Sequence, residues 1–320
     1  MDGTFKITPK KPNIFQVFTI LGLINDNKAL PLCWMLMKNK SAHSYQTGLS
    51  YFKNQVALHI DPQIIITDFE TGLKNPIRSV YPEAAHTGCY FHFCQALTKK
   101  LKELNLLQLI RHWKYGQIFI RKIMALPLLP PVDAEEGFTW LIGNTPLDIL
   151  DIFQEFILYF DGQWLQRVPP TLWSVHRYIH RTDNFTESYH KTAKIRFGEH
   201  PSIWEFTERL TELQGITQIE YVSLQNGLDV TRAARSHTID TNKKIEKAWD
   251  LYHAESLDIP NFLACASHFS HAFKWEFQQP AENQQVADHR INVAGNVVNL
   301  MHNNYDHLLV FLELDVLEIN

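Results

Sequence analysis

The sequence predicts an α/β fold: a mixed sheet with helices on both faces, interrupted by an all-helical insertion. Three observations carry this expectation. Two long runs of branched and aromatic residues, 14–24 and 29–37, flank the turn Asn25-Asp26-Asn27. Two shorter apolar runs, 63–67 and 85–91, are each followed by a helical pattern. Between residues 106 and 170 no strand pattern occurs. The order hairpin, helix, strand, helix, strand, helix suits a sheet covered on both sides.

Each element has its own signal. Residues 14–24 (IFQVFTILGLI) are apolar almost throughout, as expected of a strand buried on both faces. Asn25-Asp26-Asn27 supplies turn chemistry, and 29–37 (ALPLCWMLM) returns as the antiparallel partner. Ser41 is a good N-cap for a helix to Leu58, with Tyr45, Leu49 and Phe52 on one face. Residues 63–67 (QIIIT) form the next strand and end at Asp68. The helix after it is expected to break around Pro76 and to stop by Pro82. Residues 85–91 (AHTGCYF) fit one more strand, followed by a helix from His92 to Leu104.

These elements, residues 1–105, form the first part of the α/β core. Residues 106–172 are the helical insertion, with breaks at Pro127, Pro130-Pro131 and Pro146. Residues 173–225 hold the final core helices. One restarts near Asn184, and another follows Pro201 and carries Trp204, Phe206 and Leu210. Residues 226–320 make a helical or irregular tail with no assignment.

Composition narrows the function. With 45% hydrophobic and 20% charged residues the chain is globular and not disordered. Its 8 Trp and 20 Phe supply ample core material. A net charge of -4 is not the basic excess of a free-standing DNA-binding domain. Any DNA contact must then come from local basic patches, metal ions or a partner domain. Cys33, Cys89, Cys94 and Cys265 lack the spacing of a disulfide framework, which points to a reducing compartment. The start Met1-Asp2-Gly3-Thr4 is no signal peptide, and Ile14–Ile24 is too short to span a bilayer, so neither secretion nor membrane association is expected.

The chemistry-bearing candidates are few, and each has a plain structural alternative. Asp68 ends an apolar strand, the edge where open α/β sheets place their sites, yet Asp is also a common helix cap. Glu70 is an accessory group or a surface residue. Asp2 opens Asp-Gly-Thr-Phe, which also fits a terminal turn. Glu187 lies in Asn-Phe-Thr-Glu-Ser-Tyr-His, where Asn184 and Glu187 also have capping-box spacing. Cys89 and His92 have ligand-compatible spacing but no second pair, so a buried thiol and a packed histidine are the simpler expectation. Lys99-Lys100, Arg121-Lys122 and Lys243-Lys244 fit solvated helix faces.

Taken in order, these segments resemble a known family. Asp-Gly-Thr-Phe-Lys, Ile-Thr-Asp-Phe-Glu, Gly-Cys-Tyr-Phe-His-Phe-Cys-Gln-Ala and Asn-Phe-Thr-Glu-Ser-Tyr-His resemble the transposase domain of Mutator-like elements over residues 2–215. The resemblance implies a ribonuclease H-like fold of the DDE superfamily, with a helical insertion before the last acidic helix. It implies catalytic carboxylates at Asp2, Asp68 and Glu187, with Glu70 and Asn184 as accessory candidates. Cys89 and His92 match the family's cysteine–histidine signature. DNA, at element ends and at the target, is the implied partner; a homo-oligomer is compatible with it, and the nucleus is the implied location. In such a fold residues stand on both sides of the first acid. Only Met1 precedes Asp2 here, so the N-terminal strand is expected to be truncated.

The implied chemistry follows from charge. Three carboxylates held together repel unless cations intervene, and all-oxygen ligands favour Mg²⁺ or Mn²⁺. Two such ions about 3.5–4 Å apart would activate a water or a DNA 3′-hydroxyl and stabilise the leaving oxygen. The expected reaction is phosphodiester cleavage at element ends followed by strand transfer. The alternative is a catalytically inactive or domesticated derivative that keeps the fold and binds DNA or a protein.

Overall fold

The computed structural model describes residues 1–269 except 12, 25–27, 183, 229 and 231–235. The predicted turn at Asn25-Asp26-Asn27 and the acidic apolar end of the chain lie outside the described residues. The fold is mixed α/β.

Strand β1 (Asp2–Thr4) pairs antiparallel with β2 (Gln16–Ile24), which pairs antiparallel with β3 (Lys28–Met37). The predicted hairpin is present. A register shift falls between Ile20 and Leu21, where Cys33 and then Pro31 stand opposite and Leu32 is skipped. Proline has no N–H to give a ladder, and such an irregularity is where a strand tolerates it. Strands β4 (Ile64–Thr67) and β5 (Ala85–Gly88) pair in parallel. The two sheets meet at the chain start: the Met1 amino nitrogen donates to the Ile66 carbonyl at 2.9 Å. The structure thus has a three-stranded sheet, β1-β2-β3, and a two-stranded one, β4-β5, linked at Met1.

Side chains alternate across the three-stranded sheet with period two, as strand geometry dictates. Phe18, Ile20, Cys33, Met35 and Met37 face one core, shared with helices α1 (Ala42–Tyr51) and α2 (Thr71–Val80) through Tyr45, Leu49, Leu73 and Ile77. Val17 and Trp34 face the other, shared with α8 (Asn184–Phe197) and α9 (Ile203–Gln225) through Ala193, Phe197, Phe206 and Leu210. Helices on both faces were expected, and both are there.

The boundaries differ from expectation in instructive places. Ser41 caps α1 as predicted, accepting the Ser44 amide at 3.1 Å. The helix ends at Tyr51, and a wider turn (Phe52–Val56) replaces its predicted last stretch. Helix α2 runs through Pro76 unbroken. Pro76 is itself buried on the apolar face with Leu73, Ile77 and Val80, so packing offsets one lost backbone bond. Strand β5 stops at Gly88 and not at residue 91. Cys89 donates to the Thr67 carbonyl at 2.8 Å, then accepts from Phe93 at 3.0 Å as the cap of α3 (Tyr90–Glu103). The helix thus begins two residues before His92. Asn184 is the first residue of α8 rather than its cap. A true capping box stands at Ser202 and Glu205, on α9.

Residues 106–172 are helical as expected: α4 (Leu106–His112), α5 (Lys114–Ala125), α6 (Pro131–Gly143) and α7 (Leu147–Phe160), with short turns between. Their core is aromatic. Phe119, Phe153, Phe156, Phe160, Trp164 and Trp173 are buried together. Each such side chain contributes roughly 1.5–3 kcal/mol on burial. Buried indole N–H groups need acceptors, and Trp173 finds the Trp164 carbonyl at 2.6 Å. The same core takes in α3, α10 (Ser236–His253) and α11 (Ile259–Ala266). Trp249 of α10 donates to the Leu128 carbonyl at 2.7 Å. Part of the unassigned tail thus closes the helical layer. Among the described residues no helix is long and apolar enough to cross a membrane.

Candidate functional site

The predicted acids come from three separate parts of the fold, with Asp2 and Asp68 at the strands that Met1 links and Glu187 on a helix above. Asp2 lies in β1 opposite Thr19, on the strand that joins the two sheets. Asp68 follows the last residue of β4. Glu187 stands in the first turn of α8. Helix α8 is held over the sheet by Ala193 and Phe197 in the core below it and by a hydrogen bond from the Trp34 indole to the Tyr189 hydroxyl.

Electrostatics tie the acids together. Burial pushes the Asp68 carboxyl above the usual carboxylate range, and the charges of Asp2 and Glu70 push it the same way. The Glu70 amide, 3.1 Å from Asp68 Oδ1, and the His92 ring act in the opposite direction. Desolvation and like charge are two of the ordinary causes of a raised carboxyl pKa.

Two histidines interleave with the acids. His92 Nε2 lies 3.9 Å from Glu187 Oε1. His190 Nδ1 lies 3.5 Å from Asp2 Oδ2. Glu187 and His190 are three residues apart, so they share a face of α8. One helix therefore brings an acid toward His92 and a histidine toward Asp2. His190 was missed as a candidate, although the Glu-Ser-Tyr-His spacing shows it. The second ring nitrogen of His92, Nδ1, is buried without a hydrogen-bond partner. Cys89 is buried beside this group, and its backbone amide pins the start of α3 to the end of β4. That pin sets where His92 projects.

Glu70 is fully engaged. Its Oε2 pairs with Lys40, and its Oε1 accepts from the Tyr45 hydroxyl at 2.6 Å. Tyr45 in turn accepts from Gln16 Nε2 at 2.7 Å. Lys40, Tyr45 and Gln16 form a support behind Asp68 that no local motif announces. Asn184 is exposed at the start of α8.

The donor set suits a hard divalent cation in kind: carboxylate oxygens under mutual repulsion, with a rigid strand end beneath them. Its present spacing is more open. Among the described residues no group of three His, Cys, Asp or Glu side chains stands close enough to hold a metal ion. Asp2 and Glu187 each face a histidine instead.

Residues 1–96 match the family model described as the MULE transposase domain. No curated protein and no solved structure matches the chain.

Proposed function

With residues 1–96 carrying a MULE transposase domain, we propose that this chain is the catalytic core of a Mutator-like DNA transposase. Its fold on this reading is ribonuclease H-like, and the antiparallel β1-β2-β3 sheet with helices on both faces, followed by the parallel β4-β5 pair, supports that. Asp2, Asp68 and Glu187 are the catalytic acids. The observation that carries the proposal is placement: Asp2 on the strand that Met1 ties to β4, Asp68 at the end of β4, and Glu187 3.9 Å from His92. Asp2, Asp68, Cys89 and His92 fall within the matched residues; Glu187 lies beyond them.

In this account Asp2, Asp68 and Glu187 would be the residues that hold a Mg²⁺ or Mn²⁺ ion. A bound divalent ion supplies Lewis-acid polarisation of the phosphoryl oxygens and a more acidic nucleophile. The chain does the rest by positioning. The β4 strand end fixes Asp68, and the Lys40–Glu70–Tyr45 support keeps the following turn in place. His92 and His190 stand beside Glu187 and Asp2, at 3.9 and 3.5 Å. Phosphoryl transfer asks for little beyond such placement and charge compensation. DNA at element ends and targets is the substrate, and the nucleus is the compartment where it is met.

The test is nicking of a supercoiled plasmid in Mn²⁺ by the wild type and by Asp68→Asn. Metal-dependent nicking that the substitution abolishes supports the proposal; equal nicking by both proteins rejects it. A second reading, a transposase-derived protein that binds DNA or a partner without cleaving, draws support from the histidines that face Asp2 and Glu187. A wild type that binds DNA and never nicks it would favour that reading.

A further inference from the structure

A cleft of about 740 Å³ opens at the far end of α8, between the segment after β1 and the start of α9. Lys10, Lys11, Arg196 and Arg209 line it, against Glu199 and Glu205. A chain of net charge -4 thus concentrates positive side chains in one concave place. Both carboxylates have local partners. Glu199 pairs with Lys194 at 2.8 Å, and Glu205 accepts the Ser202 amide at 2.8 Å within the cap of α9. Lys10, Lys11 and Arg196 form no ion pair among the described residues. The walls are stitched together by backbone: Lys10 donates to the Pro201 carbonyl at 3.0 Å, and His200 to the Lys6 carbonyl at 3.0 Å.

Two large apolar groups stand exposed on the helices that border it, Trp204 falling in sequence between the lining residues Ile203 and Glu205. Ile195, in the cleft wall, is 84% exposed, and Trp204, in the first turn of α9, is 81% exposed. Unpaired cations in a cleft, with an exposed indole on the helix that forms its rim, match the chemistry of a nucleic-acid strand, whose phosphates need charge and whose bases need a stacking surface.

Both walls lead back to the acidic site. The segment holding Lys10 and Lys11 continues from β1, which carries Asp2, and Arg196 stands on α8, which carries Glu187. The nine residues from Glu187 to Arg196 span roughly 14 Å at the helical rise. That is about four nucleotides of duplex strand.

We propose that this cleft carries the DNA strand leaving the acidic site, with phosphates against Lys10, Lys11 and Arg196 and a base stacked on Trp204. The proposal rests on the transposase reading for its direction along the strand, but binding at the cleft is separable from cleavage.

The test is fluorescence anisotropy of labelled single-stranded and duplex DNA with the full chain, in EDTA, over a series of KCl concentrations. Lys11→Ala with Arg196→Ala should lower the log–log salt slope by about two, one for each lost phosphate contact. Trp204→Ala should weaken single-strand binding about tenfold with the slope unchanged, and Trp204→Phe should restore most of it. Melting curves should stay as in the wild type, since these side chains are exposed. A slope and affinity unchanged in all three variants would overturn the proposal, as would a wild type that binds no DNA. Plasmid nicking in Mn²⁺ separates the two ideas. Nicking with normal binding by the variants rejects this cleft and keeps the transposase reading; loss of binding in the variants of a protein that never nicks keeps the cleft and rejects catalysis.

Discussion

Tyr45→Phe removes one oxygen and exposes how the support behind Asp68 is built. Tyr45 is fully buried, and its hydroxyl sits between Gln16 Nε2 at 2.7 Å and Glu70 Oε1 at 2.6 Å. Without it, the Gln16 amide keeps only the Met37 sulfur at 3.3 Å, a weak acceptor. Gln16 Oε1 is already buried without a partner. Glu70 keeps Lys40. A buried donor left without its acceptor costs about 1–3 kcal/mol, and a bond to a carboxylate is worth somewhat more than a neutral one. A loss of about 2–3 kcal/mol follows, and at about 1.5 °C per kcal/mol for a chain of this length the melting temperature should fall by about 3–5 °C. Ring packing cannot explain the loss, because Phe retains the edge contact to Phe18 at 5.1 Å. Calorimetric melts at neutral pH without metal measure it. Adding Gln16→Met should recover part of the loss, since replacing both partners leaves no stranded donor. A Tyr45→Phe protein that melts with the wild type would refute the reasoning.

Two further outcomes follow from buried groups. Asp68→Asn in EDTA should raise the melting temperature at neutral pH. Burial and the charges of Asp2 and Glu70 raise the Asp68 carboxyl above its ordinary value of 3.8, so the folded state binds this proton more tightly than the unfolded chain. Its ionised form therefore weakens the fold progressively as pH rises through the range between the two values, and the penalty persists above it. The advantage of the Asn variant should vanish below the ordinary value, and a lower melting temperature for Asp68→Asn at neutral pH would contradict this. Thiol labelling gives the second outcome. Cys33, Cys89 and Cys94 are buried, and burial pushes the Cys33 thiol up to about 12 and the Cys94 thiol further still. Half-exposed Cys265 should react first in the native protein, with all four reacting after denaturation. Rapid native labelling of Cys89 or Cys94 would count against the packing at the start of α3.

Much of this architecture is legible in local sequence, for reasons of periodicity. Apolar runs without alternation mark β2 and β3, Ser41 marks a cap, and the missing strand signal marks the helical layer. The failures have one cause in common, which is that the deciding contact is remote. Cys89 looks like strand until its amide meets Thr67, across the sheet. Pro76 looks like a break until its ring is buried against the core beneath α2. Helices α10 and α11 look like tail until Trp249 reaches Leu128. The site divides the same way. Asp68 and Glu187 stand out by position and motif. His190 stands in the Glu-Ser-Tyr-His motif, but its approach to Asp2 shows only in the fold, and the Lys40–Glu70–Tyr45–Gln16 support joins β2, α1 and two connecting loops.

The central claim is that Asp2, Asp68 and Glu187 converge on a divalent ion. Thermal melts of the wild type and Asp68→Asn with increasing Mn²⁺ test it most directly. An ion that binds only the folded state stabilises it by about 2.7 kcal/mol at a hundredfold excess over its dissociation constant. The wild type should then melt roughly 4 °C higher, and Asp68→Asn should lose that response. A wild type that melts cooperatively with no Mn²⁺ response, or a variant that responds as strongly, would contradict the account.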